Sequence, residues 1–377
     1  MGERISKTGP IWAFVALIVL GLGLLAVGCG DGETTTTAAP DTTTTAAPDT
    51  TTTTAAAPEK EVTKIGVVVP EEGSDYGWNQ EGVESAQALA DELGVGIEVA
   101  DGAGYEDPGP VLRQLVDNGA DFLFAHASGY ATQAMQVAEE TKVPVVVIGA
   151  FEGGLVPGLS QDLETHAEEG SYLAGYLAAK MTKTKTLGIV ISADDENWTK
   201  MAGGFVAGAR SAMPDAKVIM AQIGQAGYAD AAGGKRVTEA VIAGGADVVY
   251  GMGDGSSFGM IQAAETAKPP AGADKVWFID VIGDKTSLDK KGVYLTSVWW
   301  DYLPLFKQAV QAYKDGTFGT EVFYMSVAND SIKLIKTDHI PDEVWAELEK
   351  IKADIISGAV EVPVLTDKAA VEALIKQ

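Results

Sequence analysis

Short apolar runs alternate with helix-period segments along most of the chain. The runs fall at 64–69, 97–100, 122–125, 143–148, 187–191, 218–222, 248–250, 276–281 and 294–298. Each is brief and continuously apolar, which suits strands buried on both faces of a parallel sheet. Helical patterns lie between them, at 82–93, 111–118, 131–141, 167–181, 202–213, 229–243, 258–267 and 305–314. Such alternation predicts an α/β fold with parallel sheets. At about 150 residues per domain, a chain of 377 residues suggests two or three units. The alternating part is large for one sheet and comfortable for two.

An internal echo supports two sheets. Gly119-Ala120-Asp121-Phe122 matches Gly245-Ala246-Asp247-Val248, and the same offset pairs Gly129 with Gly255 and Gln136 with Gln262. Each copy reads as strand, loop, helix. The plain alternative is that βα units resemble one another by composition alone. If the copies are equivalent, 126–130 and 252–256 are matching loops at carboxyl strand ends, where open α/β sheets bind ligands. Two such edges face to face make a cleft.

The remaining composition narrows the function. With 27 basic and 53 acidic side chains the net charge is −26, which argues against nucleic acid as a partner. The single Cys excludes a disulfide framework. Three scattered His give no local ligand pair, so neither a metal nor another cofactor is expected. Arg4 and Lys7 precede an apolar run at 11–27 that ends in small residues before Cys29. This resembles a bacterial lipobox, although Ala26 stands where Leu is usual. The expectation is a lipoprotein signal peptide over 1–28 and a lipid anchor on Cys29; a transmembrane anchor is the alternative. Residues 34–41 (TTTTAAPD) recur at 42–49, and TTTTTAAAP follows at 50–58. Such a stretch cannot build a core, so 29–61 reads as an extended tether.

The stretch 162–181 (DLETHAEEGSYLAGYLAAKM) resembles the Glu-Gly-Ser-Phe-Leu-Ala-Gly helix of the basic membrane protein family, the purine-nucleoside-receptor-like solute-binding lipoproteins of ABC importers. DYGWN at 75–79, FVAG at 205–208, GGAD at 244–247 and LTSV at 295–298 fall in that family's order. The resemblance spans about residues 62–336. It implies a type I periplasmic-binding-protein fold: two Rossmann-like lobes joined by three crossings, with a hinge cleft. Those crossings are expected near 161, 284 and 321. They divide the chain into lobe 1 (62–161 plus 285–320) and lobe 2 (162–284 plus 321–377), with two terminal helices packed on one lobe. The implied ligand is a purine nucleoside, the implied partner an ABC permease on the extracytoplasmic face of the cell membrane, and the implied state a monomer.

Carried over by position, Asn79 matches the motif's base-binding Asn and Trp78 replaces its Phe. The second aromatic is Trp198. The family's ribose-binding Asp falls at Ile282, so Asp280 or Asp284 is the expected substitute. A family Lys falls at Trp300, the second of two Trp residues of which one should face the cleft. These departures weaken a ribose contact and leave a free base or flavin open as ligand. From position alone, Asn79 is equally a helix N-cap, Asp254 is a cleft carboxylate at a strand end, His126 is at least as readily structural, and Asp194–Glu196 is a solvated loop. The expected ligand set is therefore Trp78, Asn79, His126, Trp198, Asp254, Asp280, Asp284 and Trp300.

Two other functions fit the sequence. A lipoprotein of the same fold could sense a ligand for a receptor kinase. A hydrolase is the sharper competitor, because GSSFG at 255–259 matches G-x-S-x-G, with Asp280 or Asp284 and His339 following in triad order. Against it, Ser257 lies several residues beyond its strand, and His339 sits in the C-terminal segment.

Overall fold

The structure is a computed structural model, and it describes residues 60–150 and 153–377. The expected signal peptide, Cys29 and most of the expected tether lie outside the described residues. Residues 56–377 form one compact unit. Within it the chain builds two sheets in succession.

The first lobe runs β1 (Lys64–Val68), α1 (Trp78–Leu93), β2 (Gly96–Ala100), α2 (Gly109–Asp117), β3 (Phe122–Ala125), α3 (Ala131–Thr141), β4 (Val145–Ile148) and β5 (Ser160–Thr165). The chain then crosses into α4 (Ala167–Met181), β6 (Thr186–Ile191), α5 (Glu196–Ala212), β7 (Lys217–Gln222), α6 (Ala231–Ala243), β8 (Val248–Met252), α7 (Ser257–Thr266), β9 (Trp277–Ile282) and β10 (Tyr294–Trp300). It returns through α8 (Leu303–Asp315) and β11 (Phe323–Met325). It crosses a third time to β12 (Ile332–Leu334), and ends in α9 (Asp342–Ile356) and α10 (Lys368–Lys376).

The sheet orders are β2-β1-β3-β4-β5-β11 and β7-β6-β8-β9-β10-β12. All pairings are parallel except β10 with β12. Counted from their first strands, both sheets read 2-1-3-4-5, so β3 and β8 hold the same place. The echo between 119–139 and 245–265 is therefore a repeat of architecture. In both sheets the order reverses between the first and third strands, and doubly wound sheets bind ligands at the carboxyl ends beside that point.

The crossings differ from the expected ones. Tyr294–Trp300 pairs with Phe278–Ile282, so 285–300 stays in the second lobe. The chain leaves that lobe after Trp300 rather than near 284. Phe323–Met325 pairs with Leu163–Thr165, so the third crossing follows Met325 instead of 321, and the first follows Thr165 instead of 161. The tail packs on the second lobe, α9 against α4 and α10 against α5.

The family-like helix motifs turn out to be packing devices. α4 and α5 lie against each other along their length. A Cβ on Gly175 would overlap the Phe205 carbonyl, and one on Gly208 would overlap the Tyr172 carbonyl. Only glycine lets the two backbones approach so closely. The YLAG and FVAG segments are thus the two halves of one helix contact.

Candidate functional site

A cavity of about 220 Å³ opens between the lobes at the carboxyl ends of the strands. It is small beside the range of about 300–1,000 Å³ usual for drug-sized ligands, which suits one compact ring system. Every lining segment follows a strand. Trp78 and Asn79 follow β1, Tyr105 follows β2, and Ala127–Tyr130 follow β3. From the second lobe, Asp195, Asn197 and Trp198 follow β6, Tyr228 follows β7 and Asp254 follows β8. Ile282 and Trp300 are the last residues of β9 and β10.

Trp78 is the first residue of α1. Asp75 caps that helix, its carboxylate accepting from the backbone N–H of Gly77, Asn79 and Gln80 at 2.9, 3.3 and 3.0 Å. Asn79 is therefore not the N-cap. Its Nδ2 donates to Asp75 at 2.7 Å and its Oδ1 accepts the Glu71 N–H at 3.2 Å. Both ends of the amide are engaged.

His126 lies behind Trp78 and does not line the cavity. The Trp78 Nε1–H donates to the His126 carbonyl at 2.9 Å, and His126 Nε2 sits 2.8 Å from the Trp78 carbonyl. A carbonyl only accepts, so the proton belongs on Nε2. Burial pushes the imidazole down to about 4, partly offset by that bond, so the ring is neutral at pH 7. His126 is a brace for Trp78, and its expected ligand contact is corrected accordingly.

The second-lobe aromatics converge on Trp300. It meets Trp78 edge-on at 5.9 Å between ring centroids and Trp198 at 6.4 Å. Trp198 Nε1 donates to Ser192 at 3.0 Å, whereas the buried Trp300 Nε1 has no hydrogen-bond partner among the described residues. Strand alternation sends the neighbouring Trp299 elsewhere. Its Nε1 donates across the cleft to Glu81 at 2.9 Å, and Lys333 lies 4.3 Å over its ring.

Asp254 also reaches across the cleft. Its Oδ1 accepts the Trp78 backbone N–H at 3.2 Å. A Cβ on Gly77 would stand 2.6 Å from that oxygen, so the glycine makes the approach possible. Burial, with the Asp75 carboxylate nearby, pushes Asp254 up to about 7. Asp195 is no solvated loop. Its Oδ1 accepts the Asn197 and Trp198 N–H at 2.8 and 3.3 Å, capping α5, and its Oδ2 accepts the Tyr228 hydroxyl at 2.8 Å.

Asp280 and Asp284 do not line the cavity. Asp280 is fully buried. It accepts from Ser257 at 2.8 Å and lies 3.1 Å from the equally buried Lys285 Nζ. A buried carboxylate needs such a partner, so this pair is structural. Asp284 is exposed and accepts the Thr286 N–H at 2.9 Å. The position between them, Ile282, is the one that faces the cavity. Its φ of 67° turns the chain there.

The same geometry removes the hydrolase. Ser257 Oγ lies 2.7 Å from Gly253 O and 2.8 Å from Asp280 Oδ1, which share its one hydroxyl proton, and no histidine is among its hydrogen-bond partners. His339 packs instead on Trp277, 5.1 Å between centroids.

Tyr105, Tyr130, Asn197 and Tyr228 are cavity residues the sequence does not single out, while Asp195 reads there as part of a solvated loop and Ile282 as the place of a lost family Asp. The signal for several was present, since each loop after a parallel strand contributes. What the sequence does not show is which of their side chains turn inward.

Residues 62–366 match the family described as ABC transporter substrate-binding protein, PnrA-like (Bmp). The chain belongs to this family. It is a solute-binding component of an ABC transporter and not an enzyme, and a small molecule and a permease are its partners. It is 34% identical over 206 residues to the ABC transporter nucleoside-binding protein BmpA of Lactococcus lactis, an alignment covering 52% of this chain and 58% of that one. It is 24% identical over 311 residues to the purine-binding protein BAB2_0673 of Brucella abortus, covering 80% and 83%. In fold it is similar to an ABC transporter solute-binding protein of Conexibacter woesei. The TM-score there is 0.67 at 21% identity, over 80% of this chain and 99% of that one. A solute-binding protein of Aeropyrum pernix gives 0.68 at 16% identity, over 84% and 97%. The type I periplasmic-binding architecture is thereby shown. Among the described residues no helix is long and apolar enough to cross a membrane.

Proposed function

We propose that the chain is the lipid-anchored receptor of an ABC importer, tethered by Cys29 outside the cytoplasm and acting as a monomer. It captures a flat heterocycle of the purine-nucleoside type by closing its two lobes. The observation that carries this reading is the aromatic cavity, to which both lobes contribute at carboxyl strand ends. Trp78 from one lobe and Trp198 and Trp300 from the other supply faces and edges for a ring, each contact adding about 0.5–1.5 kcal/mol beyond burial. A ligand touching both lobes favours the closed form by its extra contacts there. The names of the Lactococcus and Brucella relatives, nucleoside-binding and purine-binding, agree with such a ligand.

The test is a tryptophan-fluorescence titration of the full chain with purine nucleosides, free bases and flavins. Saturable quenching by one of them supports the reading, and none by any of them contradicts it. For the anchor, cells grown with a labelled fatty acid should label the wild type but not Cys29→Ser. Equal labelling of both would refute lipidation at that residue.

A further inference from the structure

The cavity has a charge as well as a shape. Among the described residues no Lys, Arg or His lines it, whereas Asp195 and Asp254 do. Just outside, Glu71 accepts the Tyr105 hydroxyl at 2.9 Å and Asp75 caps α1. Desolvation first, then Glu71, Asp254 and Asp75, push Tyr105 above its ordinary range, and burial with Asp195 and Asp254 does the same to Tyr228. Asp254 is 8% exposed, and Lys285, the cation that acts on it, is itself held by Asp280 and the Val281 carbonyl. A buried carboxylate whose neighbouring charges are mostly of its own sign calls for a counter-charge. Three indoles and three phenol rings line the same cavity, and such rings attract cations.

Building on the reading of this cavity as the solute site, we infer that the ligand is a flat nitrogen ring carrying a positive charge. The charge lies against Asp254 among the aromatic rings. A cation bound there favours the ionised carboxylate. Asp254 therefore releases a proton as the cation binds, and affinity rises with pH across the range around 7. The charged and titratable groups that interact with Asp254 are Asp75, Glu71, Lys285, Tyr105, Tyr228 and Tyr302. Glu81, bonded to Trp299 across the cleft and pushed up to about 7 by burial, changes charge over the same range; its effect on lobe closure is common to a cation and its neutral ring partner, so the growth of the cation preference with pH reports Asp254.

The experiment uses ring-matched pairs on the full chain: nicotinamide with 1-methylnicotinamide, and quinoline with 1-methylquinolinium. Adenosine and adenine serve as neutral references. Calorimetric affinities are measured at pH 6 and pH 8. The expected result is binding of at least one cation about tenfold or more tighter than its neutral partner. That preference should grow from pH 6 to pH 8 and vanish in Asp254→Asn. The pH series on the wild type stands alone if that variant fails to fold. Equal or tighter binding of the neutral partners would overturn the inference and leave the solute-binding reading intact. So would saturation by adenosine or adenine with neither cation bound. Binding of none of the six compounds would overturn both.

Discussion

Asp254 joins the chemistry of the site to the stability of the protein. Its folded pKa of about 7 lies above the ordinary carboxyl value. Stability from this group is fully present below about pH 4 and is lost as pH rises toward 7 and beyond. Asp254→Asn keeps an oxygen for the Trp78 N–H and removes the charge. The empty variant should therefore melt above the wild type at pH 8 and level with it near pH 4. A variant that melts lower at pH 8 would show that the carboxylate is already compensated. Trp78 is the second residue to test. Its indole is clasped to His126 on one side and lines the cavity on the other, so Trp78→Ala should do two things. Affinity should fall about tenfold or more, a loss of about 1.4 kcal/mol. The melting temperature should fall too, because the clasp is lost. Unchanged affinity in a titration would remove Trp78 from the site. The family resemblance marked Trp78 as a ligand group, because it stands where the motif has Phe. It did not show the brace, because nothing local ties His126 to a residue 48 positions away.

At the scale of elements, continuous apolar runs made most strands legible, and α3 and α4 have the bounds their periodicity implied. The strands that were missed are polar or short. β5 reads Ser-Gln-Asp-Leu-Glu-Thr yet is buried at the junction of the lobes. Two of its polar side chains are engaged by backbone: Gln161 Nε2 donates to Glu321 O at 2.7 Å, and Asp162 accepts the Gly154 N–H at 3.1 Å. No apolar pattern can announce such a strand. The same limit applied to Asp280, which looked like a ligand group until Lys285 was seen beside it. The α4–α5 contact gives the sharpest prediction here. Gly175→Ala forces a methyl into the Phe205 carbonyl, and overpacking of this kind costs about 1–3 kcal/mol. Each kcal/mol lowers Tm by about 2–4 °C in a domain of roughly 150–250 residues. Thermal melts should show that loss, while ligand affinity of the folded fraction should hold. An unchanged melting temperature would mean the helices can separate without cost.

For the whole molecule, two sheets of one order are set with their carboxyl ends across a shared cavity. Hydrogen bonds cross between them: the Trp78 N–H to Asp254, and Trp299 to Glu81. Trp299→Phe keeps the ring under Lys333 and removes the second bond. A net hydrogen bond contributes about 0.5–1.5 kcal/mol, so ligand affinity should fall about two- to tenfold as the closed form loses that bond. No change would mean that Glu81 and Trp299 do not help hold the lobes together. The central claim, that this molecule holds a small aromatic solute between its lobes, is tested most directly by native mass spectrometry. The full chain, purified without denaturation, should carry one bound small molecule that dissociates on unfolding and is absent from a Trp78→Ala, Trp198→Ala double variant. A wild-type chain that carries nothing, and gains no mass with any nucleoside, base or cationic ring offered to it, would contradict the account.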